Sequence, residues 1–584
     1  VYKKALREFF PLVLYALSFG VLTWPLIRYF AVGISGFYNS DAPIFLWNAW
    51  EWQKKLLLGD WSFVTRDLFF PHATSLILHT HTQIQSLLAA VFNLVFKNLV
   101  FSFNLVYLLS AVAGAYFAFL FFRLLTKNYW AALLAGQYFG FQHLWGIYSL
   151  FGTQNLLGFW YIPAVLYGYE AYCQKKRWGY LVWAGAVLGL AFLNEFIIFV
   201  YAVAVLVVFA LTRMIFMERF RWKEFFKQTA IGVVSFLAVS GWKILVIIQD
   251  RAAVQNIALP TMSDVDFYHA DFINLIRPSR LHGLWGNLGY LFRPVDLSAG
   301  NAFIGFTFVA VVLLFLFWRY RTKIKLGQRS LMYVLLIGYG VMLIMACGPY
   351  WHIWGYNTGV PMPHWFLAKI SSQFNNLRMP ARWLIPATIF LAGILALFLG
   401  YVFDKIKSKK ILAVIISALF VGLILDSFFL PKSILFVNNT VSPVYEQIKQ
   451  VGGGVVVEIP LAITSGYFSL GESSRVSMLH QTIHEQPILG GHLSRLPFSV
   501  RDNYEREPVI KYLVHYRAGG PAADDLAPEK IKKFFDYYQP RYFILDKQLD
   551  SFRNASGQVL INYLTENLEL KFYYEDSEVL VFIK

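Results

Sequence analysis

A chain of 584 residues that is 57% hydrophobic, 18% aromatic and only 15% charged is too apolar for an ordinary soluble domain, in which about half the residues are apolar and a quarter charged. Its net charge of +17 does not point to nucleic acid, because the Lys and Arg residues fall in short clusters between apolar runs and form no single patch or stripe. The two cysteines, Cys173 and Cys347, stand in separate apolar segments, which argues against a disulfide framework and a cysteine zinc site.

The opening stretch VYKKALREFFPLVLYALSFGVLTWPLIRYF reads as a retained first span: its apolar run outlasts a signal-peptide core and no small-residue cleavage site follows. Apolar runs near the length of a spanning helix then predict eleven spans in all, near 9–32, 100–122, 129–147, 155–173, 179–194, 196–213, 226–247, 302–318, 330–347, 382–403 and 411–430. With this count the basic residues alternate sides, as orientation by positive loops requires. Lys3, Lys4 and Arg7, Arg123 and Lys127, Lys175 to Arg177, Arg213 to Lys223, Arg319 to Lys325, and Lys405 to Lys410 all share the side of the N terminus. The expected protein is therefore integral to the plasma (inner) membrane, with a cytoplasmic N terminus. Segments 33–99, 248–301, 348–381 and everything after 431 are expected outside.

Counting QIQSLLAAVFNLVFKN (83–98) as a span would put every later loop on the wrong side, so it reads as a helix lying on the outer surface. Leu88, Val91, Phe92 and Val95 recur at helical spacing there. Segment 42–57 has the same character, with Asn48, Glu51 and Lys55 on one side and Phe45, Leu46, Ala49, Trp52 and Leu56 on the other. From about 438 the composition turns ordinary. GGGVVVEIP, RYFILDK and EVLVFIK read as strands, and SPVYEQIKQV and APEKIKKFFDYY as helices. The expected fold class is a polytopic α-helical membrane domain over 1–437, with outer loop 33–99 carrying two interfacial helices, followed by an extracytoplasmic α/β domain over 438–584.

Side chains able to do chemistry collect on the outer side: Asp41, Asp67, His72, His79 and His81 in the first loop, Asp264, Asp266, His269 and Asp271 in the second, and Arg378 and Arg382 near the third. Asp41 is the second residue of SDAP, where two readings fit: a helix cap on the free amides, or a general base near the bilayer surface. Glu195, in LAFLNEFIIF, sits at the apex of a helical hairpin; an ionised group deep in the bilayer costs about 3 kcal/mol, so it should face a cavity or the interface. His79 and His81, in HTHT, make at best half a metal site, with spacing suited to one face of a strand. Asp264 and Asp266, in SDVD, have the Asp-x-Asp spacing that holds Mg²⁺ or Mn²⁺ against a phosphate. No cofactor is expected, a divalent cation at this pair being the alternative. In RMPARW, Arg378 and Arg382 present guanidinium forks that match phosphate oxygens, unless both snorkel to lipid headgroups.

In its order of one span, a long outer loop with an early acidic residue and two surface helices, a bundle and an outer C-terminal domain, the chain resembles the GT-C superfamily of polytopic glycosyltransferases. The blocks SDAPIFLWNAWEWQKKLL, LFFPHATSLILHTHT, HADFINLIRPSRLHG and LRMPARW resemble those of a prokaryotic membrane branch, and HQTIHEQPILGGHLSR extends the likeness into the outer domain. The resemblance implies sugar transfer from a polyprenyl-phosphate donor, usually with inversion, to an acceptor hydroxyl on a glycan, lipid or protein of the cell envelope. It implies a first-loop carboxylate as base, and Asp41 matches that position. Many relatives carry a paired acidic motif there, whereas Ala42 follows Asp41 here, leaving Asp67 as the candidate second carboxylate. Arg378 and Arg382 become donor-phosphate ligands, and Asp67, His72, His79, His81, Glu195 and Asp271 candidate substrate contacts. Two other classes suit a helical bundle. A transporter or flippase should show paired broken helices or inverted repeats, which the sequence lacks. A non-enzymatic scaffold presenting the C-terminal domain needs neither Asp41 nor outer arginines.

Overall fold

The computed structural model describes residues 2–218, 221–250, 257, 259–290, 303–319, 326–429, 433–437, 441–472, 474–515, 527–547 and 555–584. Of the basic residues that orient the chain, Arg219, Arg321, Lys323 and Lys325 lie outside them. The chain divides into two compact units. The first comprises Val1–Tyr29, Asn104–Ile244 and Leu259–Ser433, and the second Phe30–Phe103, Leu245–Ala258 and Ile434–Lys584. This division falls along a different line from 1–437 and 438–584, because the first loop belongs with the C-terminal residues.

The first unit is helical. Among the described residues, five helices are long and apolar enough to cross a membrane: Leu99–Thr126, Phe196–Phe216, Trp222–Gln249, Arg329–Ala346 and Pro380–Phe403. The last is buried throughout its apolar window, whereas Trp222–Gln249 is mostly exposed, with Val233, Val234 and Leu237 facing outward. A helix apolar all round is buried, and one with an exposed apolar face needs a lipid-like surrounding. Close packing depends on small residues. A Cβ on Gly338 would lie 2.2 Å from the Phe390 ring, and one on Gly185 would lie 2.3 Å from the Gly232 carbonyl.

Three expected spans differ from the structure. The first helix ends at Leu22, not near residue 32, because Pro25 disfavours continuation; a short 3-10 turn, Leu26–Tyr29, follows. The run 129–147 is two buried helices, Tyr129–Gly140 and His143–Leu150, broken where Phe141 and Gln142 leave the helical conformation. The run 155–173 begins as a 3-10 turn and becomes α-helical only at Tyr161, where Pro163 sits in the first turn that tolerates it.

The second unit is α/β. Its four-stranded sheet runs Lys571–Glu575, Val579–Ile583, Pro540–Asp546, Val455–Ile459, with the last two strands parallel and the others antiparallel. The expected strands and both expected helices, Val444–Val451 and Pro528–Tyr538, are present. The first loop joins this unit by backbone pairing: Phe69 N donates to the Gly490 carbonyl at 3.3 Å, Phe70 N to Ile488 at 3.2 Å, and Ile488 N to Asp67 at 2.9 Å. Trp47, Trp52, Leu68, Phe69 and Leu76 of the loop share one core with Val456, Ile459, Leu489, Leu493 and Tyr504.

Both loop helices form, as Ala42–Leu58 and Gln83–Phe96. Leu88, Val91 and Val95 of the second are exposed and Ala89 and Ala90 buried, the pattern of a helix offering an apolar face to an interface. The first is not amphipathic in that sense. Asn48, Glu51 and Lys55, expected on a solvated side, are buried along with Ile44 to Trp47.

Candidate functional site

In the second unit Asp41 immediately precedes the helix Ala42–Leu58, yet its carboxylate makes no cap hydrogen bond. An N-cap side chain reaches back to the free amides from extended backbone, and Asp41, with φ −75° and ψ −12°, is already helical. The carboxylate instead faces Arg475, with Oδ1 3.3 Å from the guanidinium, and the Asp41 side chain keeps 36% of its surface exposed. Arg475 is fixed from a second direction, since it donates to the Asn39 carbonyl at 2.9 Å and its own backbone N–H donates to Asn39 Oδ1 at 3.1 Å. A partly exposed pair of this kind contributes only about 0–1 kcal/mol, so it orients Asp41 without locking it away.

His79 is the inner part of the same unit. Its Nε2 donates to Asn48 Oδ1 at 3.0 Å, and its Nδ1 accepts from Ser494 N at 3.1 Å. Burial pushes this imidazole down to about 3, so the ring is neutral at ordinary pH. His492 is held well below its usual value by burial, with Arg475 and His79 adding to the effect. His81 Nδ1 accepts from the Trp52 indole at 3.3 Å. Neither His79 nor His81 lies on a strand; both are buried, and each hydrogen-bonds a side chain of the helix Ala42–Leu58. His72 stands apart, packed edge-on against Tyr504.

Asp67 is not the free second carboxylate that the sequence allows. It is buried, and Lys54 Nζ bridges both its oxygens at 2.7 and 2.6 Å. Its neighbour is Glu51, whose carboxyl is pushed up by burial and by the Asp67 charge against the pull of Lys55. Gln481 ties the arrangement together, accepting from the Trp47 indole at 2.7 Å and donating to the Asp67 carbonyl at 2.6 Å.

In the first unit Glu195 lies between the helices Gly179–Asn194 and Phe196–Phe216, buried rather than at an open surface. Asn155 Nδ2 stands 3.4 Å from one of its oxygens, and Arg382 and Lys243 are the cations acting on it. Arg382 lies 5.9 Å from the Tyr148 ring centroid, and its buried Nε has no acceptor among the described residues. Arg378 lies over Tyr268 and donates to its hydroxyl at 3.3 Å. Both arginines are half-buried, whereas snorkelling would carry their heads into solvent. Asp271 is a structural group: it is buried, and its two oxygens accept from Ile273 N at 3.1 Å and Gly355 N at 2.6 Å. Asp264 forms a capping box with Thr261, so it does not pair with Asp266 as an Asp-x-Asp site requires.

Arg475, Glu51, Asn48, Gln481 and His492 were not singled out by the sequence. The signal that was available for three of them, the block HQTIHEQPILGGHLSR with an arginine five residues before it, names residue types without naming partners.

Residues 80–244 match the family described as dolichyl-phosphate-mannose-protein mannosyltransferase. Among solved structures, arabinofuranosyltransferase AftD from Mycobacteria aligns over 99% of this chain and 41% of its own, at 13% identity and a TM-score of 0.53. The chain shares the fold of this arabinofuranosyltransferase. It spans less than half of AftD's length. ArnT from Cupriavidus metallidurans, in a structure bound to undecaprenyl phosphate, is similar over 98% of this chain and 97% of its own, at 12% identity and a TM-score of 0.49. An oligosaccharyltransferase from Archaeoglobus fulgidus, in complex with Zn and sulfate, aligns over 98% and 73%, at 12% identity and 0.48. No curated protein matches the chain by sequence.

Proposed function

We propose that this chain is a membrane glycosyltransferase that moves a sugar from a polyprenyl-phosphate donor to an acceptor hydroxyl at the outer membrane face. The observation that carries the reading is Asp41: a carboxylate at a helix start that declines the cap, stays partly exposed and is oriented by Arg475 and Asn39. In the proposed step the acceptor oxygen attacks the anomeric carbon and Asp41 takes the hydroxyl proton. The bond from that carbon to the phosphate oxygen breaks, and polyprenyl phosphate leaves. General-base assistance of this kind contributes about 10² to 10⁴ in rate.

Two further observations support it. The family matched by residues 80–244 is named for a dolichyl-phosphate sugar donor, and the fold is shared with an arabinofuranosyltransferase. Arg382, half-buried with an Nε lacking an acceptor, is the assigned donor-phosphate ligand, and Arg378 assists. Phosphate oxygens suit a planar guanidinium fork better than a point charge. Eleven crossings, with the N terminus in the cytoplasm and the C-terminal residues outside, complete the proposal; the helices shorter than a bilayer span are accommodated by local thinning of the bilayer and by snorkelling of their flanking residues. Purified protein in micelles, incubated with a panel of polyprenyl-phosphate sugars and an acceptor extract, should consume one donor and release polyprenyl phosphate. Folded protein that consumes none, yet moves a donor between leaflets of a vesicle, would replace the enzyme with a flippase.

A further inference from the structure

In the first unit the helix Met262–Phe267, the turn after it and the strand Tyr350–Ile353 bring Asp266, His269 and His352 together. One ligand-capable atom from each lies within 4.8 Å of the other two. Both rings are committed at their other nitrogen. His269 Nδ1 donates to the Asp266 carbonyl at 2.7 Å, and His352 Nδ1 donates to the Tyr350 carbonyl at 3.0 Å. A carbonyl only accepts, so Nδ1 carries the hydrogen in each ring and Nε2 of the neutral ring is left with a lone pair. That is the arrangement by which metal-ligating histidines are usually held.

The atoms so prepared lack hydrogen-bond donors. His269 Nε2 and Asp266 Oδ1 are buried without a partner, and His352 Nε2 stands 3.5 Å from Asp266 Oδ2. Asp266 Oδ2 is itself oriented by Asn357 Nδ2 at 3.0 Å. The two imidazoles stack with centroids 3.5 Å apart and planes 13° from parallel, so the rings turn out of this stack for both Nε2 lone pairs to converge on one ion. Buried acceptors facing one another without a donor are costly, and a cation removes that cost.

We propose that Asp266, His269 and His352 form a site for one divalent transition ion of the zinc class, with Asn357 and the two backbone carbonyls as its outer partners. Two imidazoles and one carboxylate suit zinc and its neighbours, whereas magnesium and calcium prefer oxygen ligands alone. His352 thereby stands beside Asp266 where Asp264 was the expected partner. The ion joins the segment 261–271 to the hairpin formed by Tyr350–Ile353 and Tyr356–Pro361, which Asp271 already pins through Gly355 N. Three protein ligands leave one position of a tetrahedral ion for water or another ligand.

The test uses full-length protein in micelles, its purification tag removed, stripped with chelator and then dialysed against Zn²⁺ or Mg²⁺ with metal content read by mass spectrometry. One zinc per chain is expected, with no competition from a thousandfold excess of magnesium. His269→Ala and His352→Ala should each weaken zinc binding by at least about tenfold, while Asp264→Asn leaves it unchanged. Zinc-edge absorption of the unmodified protein should show two imidazole nitrogens at about 2.0–2.1 Å. This reading does not depend on any variant folding. Failure of the stripped protein to take up zinc, equal uptake by the His269→Ala/His352→Ala protein, or a spectrum without imidazole would each overturn the site.

Discussion

Acidification should loosen the second unit, and two buried imidazoles account for much of the effect. Burial pushes His79 and His484 each down to about 3, while an unfolded histidine titrates near about 6.5. Between those values the unfolded chain binds protons that the folded one refuses. The stability these rings contribute is therefore fully present above about 6.5 and is lost as the pH falls towards 3, at about 1.4 kcal/mol per pH unit for each ring. At pH 5 the loss is about 2 kcal/mol per ring and about 4 kcal/mol together. His492 adds in the same direction. His480 opposes it, since Glu458 at 2.9 Å holds that imidazole above its usual value despite its burial. Hydrogen exchange of peptides covering 42–58 and 476–493, corrected for the intrinsic pH dependence, measures the opening free energy at pH 7.5 and 5.0. The His79→Gln/His484→Gln protein should keep opening energies that change by about 4 kcal/mol less between the two pH values than the unmodified protein. An identical pH dependence in the two proteins would refute the neutral-imidazole account.

Arg382→Ala should raise KM for the phosphate-linked donor by at least about tenfold, and Arg382→Lys should recover only part of it; unchanged donor kinetics in both would return the residue to a lipid-headgroup role. Cysteines replacing the exposed Thr358 and Lys533 should react with an impermeant reagent added outside intact cells, and one replacing the exposed Lys407 only after permeabilisation; the reverse pattern would invert the proposed topology. Asp67→Asn leaves Lys54 without its bridged partner, so the expected loss is in the melting temperature of the protein, by a few degrees, with donor KM unmoved.

How much of this was legible in the chain depended on how local the cause was. The helix Ala42–Leu58 was readable to within a residue from SDAP and its apolar run, and so were the strands and helices after 438, since propensity and periodicity act over a few residues. The direction of the polar side of that helix was not. Asn48 and Trp47 are satisfied by His79 and Gln481, 31 and 434 residues away, and nothing near them in sequence announces those partners. The break after Gly140 was hidden because both halves of the run are buried and equally apolar. The candidate sites follow the same rule. Asp41 and Asp266 stood out as local motifs, whereas Arg475 reaches Asn39 across 436 positions and His352 lies on a separate hairpin from Asp266. Single-chain patterning names the residue types a site needs, and the fold supplies the neighbours that decide which role each takes.

The central claim rests on Asp41 as the base, and one comparison tests it most directly. Asp41→Asn preserves size and much of the local polarity but cannot accept the acceptor's proton, and the carboxylate makes no cap bond whose loss would confuse the result. Single-turnover transfer from the identified polyprenyl-phosphate sugar, measured at saturating donor and matched amounts of folded protein, should fall by at least about a hundredfold in Asp41→Asn while donor affinity stays within about twofold. Equal transfer rates in the two proteins would contradict the mechanism and leave Asp41 as the surface partner of Arg475.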